Sequence, residues 1–401
     1  MNDLYHPLLS LREGNWVKLI CGASFQHLPA IRNLTLAYAL AGVDCVDVAA
    51  DPAVIHAANE ALQVAKTLKE AAQGRGFGIQ NLPWLMVSLN DGEDPHFRKA
   101  EFDPTHCPTD CPRPCETICP AQAIVFERST DGFSGVLNSH CYGCGRCLPI
   151  CPIQQITARS YVSTTAAIAP LVLQGVDAVE IHTQVGRVAD FGRLWQAIAP
   201  FVDRLKLIAI SCPDGDGLID YLWALHELIS PLPCPVIWQT DGRPMSGDIG
   251  DGATRAAVKL GQKVLAANLP GYVQLAGGTN RHTVEKLRHL GLLNDPQTAP
   301  HRFISGIAYG SYARTLLASV LDQLEPSPLH DSLVACAEPA YAQAGSHSDP
   351  ILSAPPLGVS VQQRLETNAE LLWQAVDLAH SLVSQLKAPM KSSPSHAPVI
   401  T

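Results

Sequence analysis

Residues 141–152 read Cys-Tyr-Gly-Cys-Gly-Arg-Cys-Leu-Pro-Ile-Cys-Pro, with four cysteines at the spacing C-x2-C-x2-C-x3-C-P. The short gaps place three thiols on one tight turn, and Gly143 and Gly145 let backbone amides come close to whatever the thiols bind. The closing proline turns the chain away. This arrangement is typical of a two-cluster iron-sulfur module, in which three thiolates hold one cubane and the fourth reaches a second one.

A first cysteine run, Cys-Pro-Thr-Asp-Cys-Pro-Arg-Pro-Cys-Glu-Thr-Ile-Cys-Pro at 107–120, has one extra residue in each of its first two gaps. If the fourth cysteine of each run crosses over, as in bacterial ferredoxins, each 4Fe-4S cluster takes three ligands from one run and one from the other. One set is then Cys107, Cys111, Cys115 and Cys151, and the other is Cys141, Cys144, Cys147 and Cys119. The wider gaps leave a labile or three-iron cluster open for the first run.

The segment between the two runs predicts a β-hairpin. Its strands are Ala-Ile-Val-Phe at 123–126 and Gly-Val-Leu at 135–137, with a polar stretch containing Asp131-Gly132 between them. Together with the cysteines, this hairpin predicts a compact ferredoxin-like α+β module over residues 103–157.

Structural zinc is the alternative use of these cysteines, because cysteine knuckles also bind Zn²⁺. Zinc does not need three cysteines and a remote fourth repeated twice, so iron-sulfur clusters are favoured. Disulfides are disfavoured because Asp3, Arg12 and Glu13 interrupt the start of the chain before a signal peptide's apolar core could form. We therefore expect a reducing, cytoplasmic location.

The composition is that of a globular protein, with 401 residues of which 47% are hydrophobic. The sequence has no run of about 18 apolar residues, so no transmembrane segment is expected. The net charge of −9 argues against nucleic acid as a partner, because phosphate recognition needs a concentrated basic face.

Eight short apolar runs alternate with helical patterns and predict parallel strands buried on both faces. They are Val17–Cys21, Val43–Ala49, Leu85–Leu89, Ala178–His182, Leu205–Ser211, Val236–Thr240, Tyr272–Ala276 and Phe303–Ala308. Residues 28–41 and 253–267 carry the apolar periodicity of helices. Repeated βα units predict a (β/α)8 barrel with the cysteine module inserted after the third strand, on the C-terminal face. A doubly wound open sheet is the alternative.

Glycine-rich loops follow the seventh and eighth predicted strands, where many barrels bind phosphate on backbone amides. The candidate residues are Gly277, Gly278, Gly310 and Ser311, with Arg281 or Arg314 as the counter-charge. The arrangement is similar to that of barrels that bind flavin mononucleotide, FMN, and flavins commonly supply single electrons to clusters. The alternative is that these glycines only turn the chain.

Other polar residues lie at predicted strand ends and are candidates for a site at the barrel mouth: Glu180, His182, Cys212, Asp214, Gln239, Asp241 and Arg243. Glu180 and His182 are two residues apart on one strand, so both point to the same face and an acid-base pair is geometrically allowed. The alternative is that such residues cap the barrel, and no catalytic residue is assigned. Cys212 is the candidate for an exposed thiol, whereas Cys21, Cys45, Cys234 and Cys336 are expected to be buried hydrophobes.

The composition changes after residue 324. Residues 325–360 are rich in Pro, Ser and Ala and predict a linker. Residues 361–387 predict a helix whose apolar seam begins at Leu365, and this helix either packs on its own domain or docks a partner. Residues 388–401 are expected to be disordered. The barrel is thus expected to comprise residues 1–102 and 158–324.

The two cysteine runs and the segment Ser-Gly-Ile-Ala-Tyr-Gly-Ser-Tyr-Ala-Arg at 305–314 resemble the cyanobacterial light-dependent period protein family, over residues 10–320. The first run is the most specific part because its unusual spacing is shared. The resemblance implies that all eight cysteines of the two runs ligate clusters. It also implies a protein that reports light-dependent cellular redox state to the circadian clock, with clock-input histidine kinases as partners.

Two function classes follow from these patterns. In the first, the clusters exchange electrons with a donor such as ferredoxin or a quinone, and their state changes partner binding. Peripheral association with the thylakoid membrane is left open in this class. In the second, the barrel is a flavin-dependent oxidoreductase that uses the clusters. An electron-transfer module without a catalytic motif favours the regulator.

Overall fold

The computed structural model describes residues 5–21, 28–92, 98–119, 123–128, 131–137, 141, 147–160, 165–242, 254–295, 302–324 and 364–387. The predicted linker at 325–360 and tail at 388–401 lie outside these residues. So do Cys144, Cys336 and Arg243.

The chain alternates strands and helices for most of its length. The strands are β1 (Trp16–Ile20), β2 (Cys45–Ala49), β3 (Trp84–Asn90), β4 (Arg98–Glu101), β5 (Ile124–Val125), β6 (Gly135–Val136), β7 (Thr157–Ser160), β8 (Ala178–His182), β9 (Leu207–Pro213), β10 (Val236–Asp241), β11 (Tyr272–Ala276) and β12 (Gly306–Tyr309). The helices are α1 (Tyr5–Glu13), α2 (Leu28–Ala41), α3 (Pro52–Gly74), α4 (Pro114–Ile118), α5 (Cys147–Ile150), α6 (Thr165–Val172), α7 (Val188–Ile198), α8 (Leu218–Ile229), α9 (Thr254–Ala266), α10 (Thr283–His289), α11 (Ser311–Leu321) and α12 (Ala369–Lys387).

Eight parallel strands close into a barrel in the order β1-β12-β11-β10-β9-β8-β3-β2. Closure is direct, since β1 pairs with both β12 and β2, and Lys18 is in register with Ala308 on one side and Cys45 on the other. The predicted (β/α)8 barrel is confirmed, and the open sheet is wrong because it would leave two unpaired edges. All eight predicted strands are present, and the helix predicted at 28–41 has those bounds.

The barrel interior is apolar at the N-terminal ends of the strands. Trp16, Trp84 and Leu207, each at the start of its strand, belong to one buried cluster with Leu11 of α1, and Leu8 packs against it. Alternate residues of a barrel strand face inwards, so these side chains fill the bottom of the barrel. Helix α1 therefore plugs the N-terminal end, and the C-terminal end is the one left for function.

The cysteine module leaves the barrel after β3 and returns before β8. Its base is the antiparallel pair β4 and β7, in which Arg98 is in register with Ser160 and Glu101 with Thr157. The predicted hairpin is present as β5 paired with β6, and Ile124 is in register with Val136. The paired base strands flank the predicted limits of 103–157.

The C-terminal helix packs back on the barrel, against α2 and α11. It begins at Ala369, later than predicted, while Leu365 lies in a preceding 3-10 turn, Leu365–Thr367. The reason is Asn368, whose extended backbone interrupts the helix and whose side-chain oxygen accepts a hydrogen bond from the Leu371 N–H at 3.1 Å. An apolar seam that includes Leu372 and Leu386 is buried by this packing.

Candidate functional site

The first cysteine run folds around two short helical turns. Asp103 caps the first turn, Pro104–His106, through a 2.9 Å hydrogen bond from the Thr105 N–H, and Cys107 follows directly. Arg113 then takes a left-handed conformation with φ of 52°, which reverses the chain into α4. Cys115 lies in α4 and is buried, whereas Cys119 ends that helix. The second gap of this run thus holds the chain reversal at Arg113.

Cys151 from the second run lies beside the cysteines of the first. Desolvation raises the pKa of the Cys107 thiol, and the neighbouring Cys111 and Cys151 thiols raise it further. Cys115 has a raised pKa because of burial, with Cys151 and Cys107 contributing to the rise. Cys151 of the second run thus lies near enough to Cys107 and Cys115 of the first for its charge to act on both thiols.

Backbone amides surround the Cys151 sulfur. Desolvation acts to raise its pKa, but N–H groups of the residues that follow it outweigh this effect and hold the pKa below its ordinary value. These donors are Gln155, Ile153, Ile156 and Gln154. Amide hydrogen bonds to sulfur stabilise a thiolate, which is the form that binds metal.

Cys119, Cys141 and Cys147 line the same small core. Cys119 Sγ accepts a hydrogen bond from the Ala123 N–H at 3.2 Å, and Cys141 Sγ accepts one from the Ala100 N–H at 3.4 Å. Cys147 is buried in α5. The apolar residues packed among these cysteines are Ala100, Ile124 and Ile156, with Phe102, Phe126, Val136 and Leu148 around them. Such a shell limits solvent access to a bound centre.

A single metal ion does not fit the described donors. Among the described residues, which omit Cys144, no three Cys, His, Asp or Glu side chains converge closely enough to hold one. Tetrahedral zinc with Zn–S bonds of about 2.3 Å needs sulfurs roughly 4 Å apart.

A second polar site lies inside the barrel. Lys18 of β1 is fully buried and its Nζ contacts the Glu180 carboxylate of β8 and, at 3.3 Å, Asp47 Oδ2 of β2. Ser88 Oγ donates to Asp47 Oδ1 at 2.7 Å. Gln239 Nε2 donates to Glu180 Oε1 at 2.5 Å. The chain of hydrogen bonds thus reaches five strands of the barrel, β1, β2, β3, β8 and β10.

The same chain continues to a tryptophan. Gln274 Nε2 donates to Gln239 Oε1 at 2.5 Å, and Trp16 Nε1 donates to Gln274 Oε1 at 2.6 Å. Sequence reasoning identified Glu180 and Gln239 but missed Lys18, Asp47 and Gln274. The signal for Lys18 and Asp47 was a charged residue in the middle of an apolar strand, in Trp-Val-Lys-Leu-Ile and Cys-Val-Asp-Val-Ala.

The charges of this site are strongly coupled. Burial opposes the charge on Lys18, but Glu180 and Asp47 outweigh it and hold the lysine pKa above its ordinary value. Burial raises the pKa of Asp47 to about 6, although Lys18 acts in the opposite direction. Lys18 is therefore a charged ammonium and not an amine nucleophile.

The structure brings Glu180 and His182 together, as their spacing allows. Glu180 Oε1 lies 3.2 Å from His182 Nε2, and the histidine side chain is 14% exposed while the glutamate has no exposed surface. Asp241 ends β10 on the same rim of the barrel. Asp214 is separate from this pair, since it is 55% exposed and its Oδ1 lies 2.7 Å from Lys263 Nζ.

The expectation of an exposed Cys212 thiol is wrong. Cys212 is only 3% exposed, and burial raises its pKa to about 12. The strand was predicted to end at Ser211 but continues to Pro213, so the thiol lies within β9 rather than after it. Cys21 and Cys45 are buried as expected, and Cys234 is partly buried.

The glycine loops lie at the ends of β11 and β12. Gly277 and Gly278 have φ values of 63° and 105°, and Gly278 carbonyl oxygen accepts a 3.2 Å hydrogen bond from Thr254 Oγ1. Helix α11 begins at Ser311, directly after Gly310, and no side-chain hydrogen bond caps its start. Arg314 Nη1 donates to the Ile20 carbonyl at 3.2 Å, whereas the Arg281 Nε lies 3.1 Å from His282 Nε2. Arg314 is thus the cation nearer to the β12 end.

Two family models match separate stretches of this chain. A family model described as the LdpA Fe-S cluster-binding domain matches residues 107–162, and one described as the Light dependent period A C-terminal domain matches residues 171–385. A curated relative from Synechococcus elongatus, Light dependent period A, is 56% identical over 319 residues, which are 79% of this chain and 85% of the relative.

Among solved structures, the chain matches (S)-3-O-geranylgeranylglyceryl phosphate synthase from Thermoplasma acidophilum, in complex with sn-glycerol-1-phosphate. It is 12% identical, covers 78% of this chain and 92% of its own, and gives a TM-score of 0.35. Within the described residues, no helix is long and apolar enough to cross a membrane.

Proposed function

This chain belongs to the light dependent period A family and carries that family's iron-sulfur cluster-binding domain, and from this we propose that it transfers single electrons and conveys redox state to the circadian clock. The observation that carries the proposal is the position of Cys151. It lies among Cys107 and Cys115 although it comes from the other run, and its sulfur is surrounded by backbone amides. Crossed ligation of this kind belongs to two-cluster electron carriers.

We propose that two 4Fe-4S clusters are held by the eight cysteines of the two runs. Cys107, Cys111, Cys115 and Cys151 would hold the first, and Cys119, Cys141, Cys144 and Cys147 the second. The bound clusters supply one-electron chemistry. The chain's own contribution is to keep the thiolates deprotonated, as the amides around Cys151 do, and to exclude water with the apolar shell around Ile124 and Ile156.

Partner binding is proposed to occur on the module's exposed apolar residues. Ile118, Ile150 and Ile153 are 39%, 42% and 46% exposed, and each is next to or two residues from a cluster cysteine. An apolar patch beside a redox centre suits the small, transient contacts of electron-transfer partners. The partners proposed are a redox donor, ferredoxin or a quinone, and a clock-input histidine kinase that responds to the oxidation state.

The first experiment is anaerobic purification followed by iron and sulfide analysis and EPR of the dithionite-reduced protein. We expect about eight irons and eight sulfides per chain. Zinc without sulfide would overturn the proposal. The matched variants are Cys151→Ser and Cys234→Ser, since Cys234 is a partly buried cysteine outside both runs; only the former should lose iron.

The link to timing is tested in a cyanobacterium that carries each variant in place of its own gene. Cys151→Ser is expected to abolish the dependence of the circadian period on light intensity, and Cys234→Ser is expected to keep it. A normal light response in a Cys151→Ser strain whose protein lacks iron would show that the clusters do not act on the clock.

A flavin-dependent oxidoreductase is the second candidate. It is favoured by Gly277 and Gly278, whose consecutive positive φ values turn two backbone amides at the end of β11, and by the uncapped start of α11 at Gly310 and Ser311. A flavin phosphate would be held by these amides with Arg314 nearby. A flavin absorption spectrum in the purified protein, lost in Gly278→Val, would establish this candidate; its absence from protein with full iron content would leave the electron-transfer proposal alone.

We further propose that the chain has two functional parts. The barrel would be formed by 1–102 and 158–324, with the 361–387 segment packed on it, and the module by 103–157. The antiparallel base, β4 with β7, supports this division because it closes the module just outside those limits.

A further inference from the structure

The charged residues of the hydrogen-bonded chain in the barrel interior lie away from its N-terminal end, and only Gln274 and Trp16 extend the chain towards that end. The N-terminal end is filled by Trp16, Trp84 and Leu207 and closed by α1. From the middle of the strands towards their C-terminal ends, the interior carries Lys18, Asp47, Glu180 and Gln239. Active sites of (β/α)8 barrels lie at the C-terminal end, whereas the opposite end serves stability.

Stability does not explain the charges. Removing a lysine and two carboxylates from water costs several kcal/mol for each ion, and apolar side chains of similar volume usually fill a barrel at least as well. Every described member of the chain has its polar atoms engaged, with Ser88 on Asp47 and Gln239 between Glu180 and Ser211. Because all these polar atoms are hydrogen-bonded, the position of the Glu180 carboxylate is fixed.

His182 connects this fixed carboxylate to the mouth. It is the last residue of β8, its Nε2 lies 3.2 Å from Glu180 Oε1, and it is partly exposed where Glu180 is fully buried. A buried carboxylate that orients an accessible imidazole is the arrangement by which proteins prepare a histidine for proton transfer.

We propose that the C-terminal mouth of the barrel is a second functional site, in which His182 exchanges a proton with a small neutral or cationic molecule and Glu180 positions the imidazole. The neutral imidazole takes a proton from an acidic O–H, N–H or C–H of the bound molecule and becomes imidazolium. The conjugate base stays bound and regains the proton in the reverse step. No cluster takes part, so this site is independent of the electron-transfer proposal.

The charge balance defines the class of ligand. One ammonium, Lys18, faces two carboxylates, Asp47 and Glu180, so the interior carries excess negative charge. Asp91 directly follows β3, the partner of β8, and Asp241 ends β10, two strands from β8 on the other side. Arg187 Nε lies 3.4 Å from Asp91 Oδ1. An anion at His182 would be repelled by Glu180, whereas a neutral or cationic group would not.

The test uses diethyl pyrocarbonate, a small neutral reagent that acylates unprotonated imidazole. Holoprotein of measured iron content is treated at several pH values, and the modified fraction of His182 is read by peptide mass spectrometry with exposed His289 as the internal reference. We expect His182 to react, with a pH midpoint that falls by about one to three pH units in Glu180→Gln and rises in Lys18→Met. The control Asp214→Asn removes an exposed carboxylate paired with Lys263 and should leave the midpoint unchanged.

Opposite shifts in Glu180→Gln and Lys18→Met would show that these two buried charges set the protonation of the His182 imidazole. If either single variant does not fold, the double variant Lys18→Met/Glu180→Gln removes both charges together and should still lower the midpoint. An unreactive His182 beside a reactive His289, or a midpoint that none of these changes moves, would overturn the proposal. Slower reaction of His182 in inorganic phosphate would overturn the ligand class, because it would show an anion at the mouth.

Discussion

Arg32 of α2 and Glu366 of the C-terminal segment form a two-point ion pair, with Nη1 to Oε2 at 2.8 Å and Nη2 to Oε1 at 2.6 Å. Arg32 has no exposed surface, and its only other carboxylate neighbour within hydrogen-bond reach among the described residues is Glu60, at 3.2 Å. The buried guanidinium therefore depends on a residue that lies more than three hundred positions away in the chain. This pair ties α12 to the barrel.

We expect Glu366→Gln to lower the free energy of unfolding by about 1–3 kcal/mol, because it leaves a buried cation with one partly exposed partner. Urea unfolding followed by tryptophan fluorescence measures the loss. The matched control is Glu101→Gln, which removes an exposed partner of Arg159 and should change stability by less than about 1 kcal/mol. Equal effects would show that the Arg32 pair does not hold the helix.

The charge balance of the barrel network predicts that one single substitution costs more stability than a triple substitution that includes it. Lys18→Met alone leaves two buried carboxylates facing each other and should cost about 3–5 kcal/mol. Lys18→Met/Asp47→Asn/Glu180→Gln removes the net charge and should recover most of that loss. Lys263→Met, at an exposed pair with Asp214, is the control. A triple variant less stable than the single one would contradict the charge argument.

Asp47 predicts a defined pH dependence. Its pKa in the folded state is raised to about 6 by burial, above the ordinary value near 4 of an unfolded chain. Folding therefore favours its protonated form, so its contribution to stability is present below about pH 4 and is lost as the pH rises through about 6. The loss amounts to at most about 3 kcal/mol.

The measurement is the difference in unfolding free energy between wild type and Asp47→Asn as a function of pH. Wild type should lose stability relative to the variant between about pH 4 and 6, and the difference should be constant above about pH 7. Asp214→Asn provides the background for other carboxylates. A difference that does not change with pH would show that Asp47 is charged throughout this range.

The crossed pairing of the cysteines predicts non-additive iron loss. Cys111→Ser and Cys151→Ser should each remove about four irons, and so should the two together, because both residues belong to one cluster. Cys111→Ser combined with Cys119→Ser should remove about eight. Iron analysis of anaerobically purified variants, with Cys234→Ser as the control, distinguishes this pairing from one in which each run holds its own cluster.

Much of the fold could be predicted because burial on both faces leaves a plain signal in the sequence. Strand β8, Ala178–His182, and helix α2, Leu28–Ala41, have the predicted bounds, since a short apolar run or an apolar period of three to four defines each. Helix α12 starts later than predicted because one side-chain hydrogen bond at Asn368 decides its start, and apolar spacing does not register that bond.

The candidate sites were predictable to different degrees for a physical reason. Cluster ligands are close in sequence, so their spacing shows them. The partners in the barrel come from separate strands, with Lys18 and Glu180 162 positions apart, and only closure of the sheet brings them together. Cys212 was expected at a surface because its strand was predicted to end early; the continuation of β9 to Pro213 buries it.

The antiparallel base of the module has an evolutionary consequence. Arg98 and Ser160 are in register, so the chain enters and leaves the insert at neighbouring positions, about 5 Å apart at their α-carbons. An insert whose two ends adjoin can be gained or lost without disturbing the strands on either side. The adjoining ends also allow the module to be exchanged for another one in the laboratory.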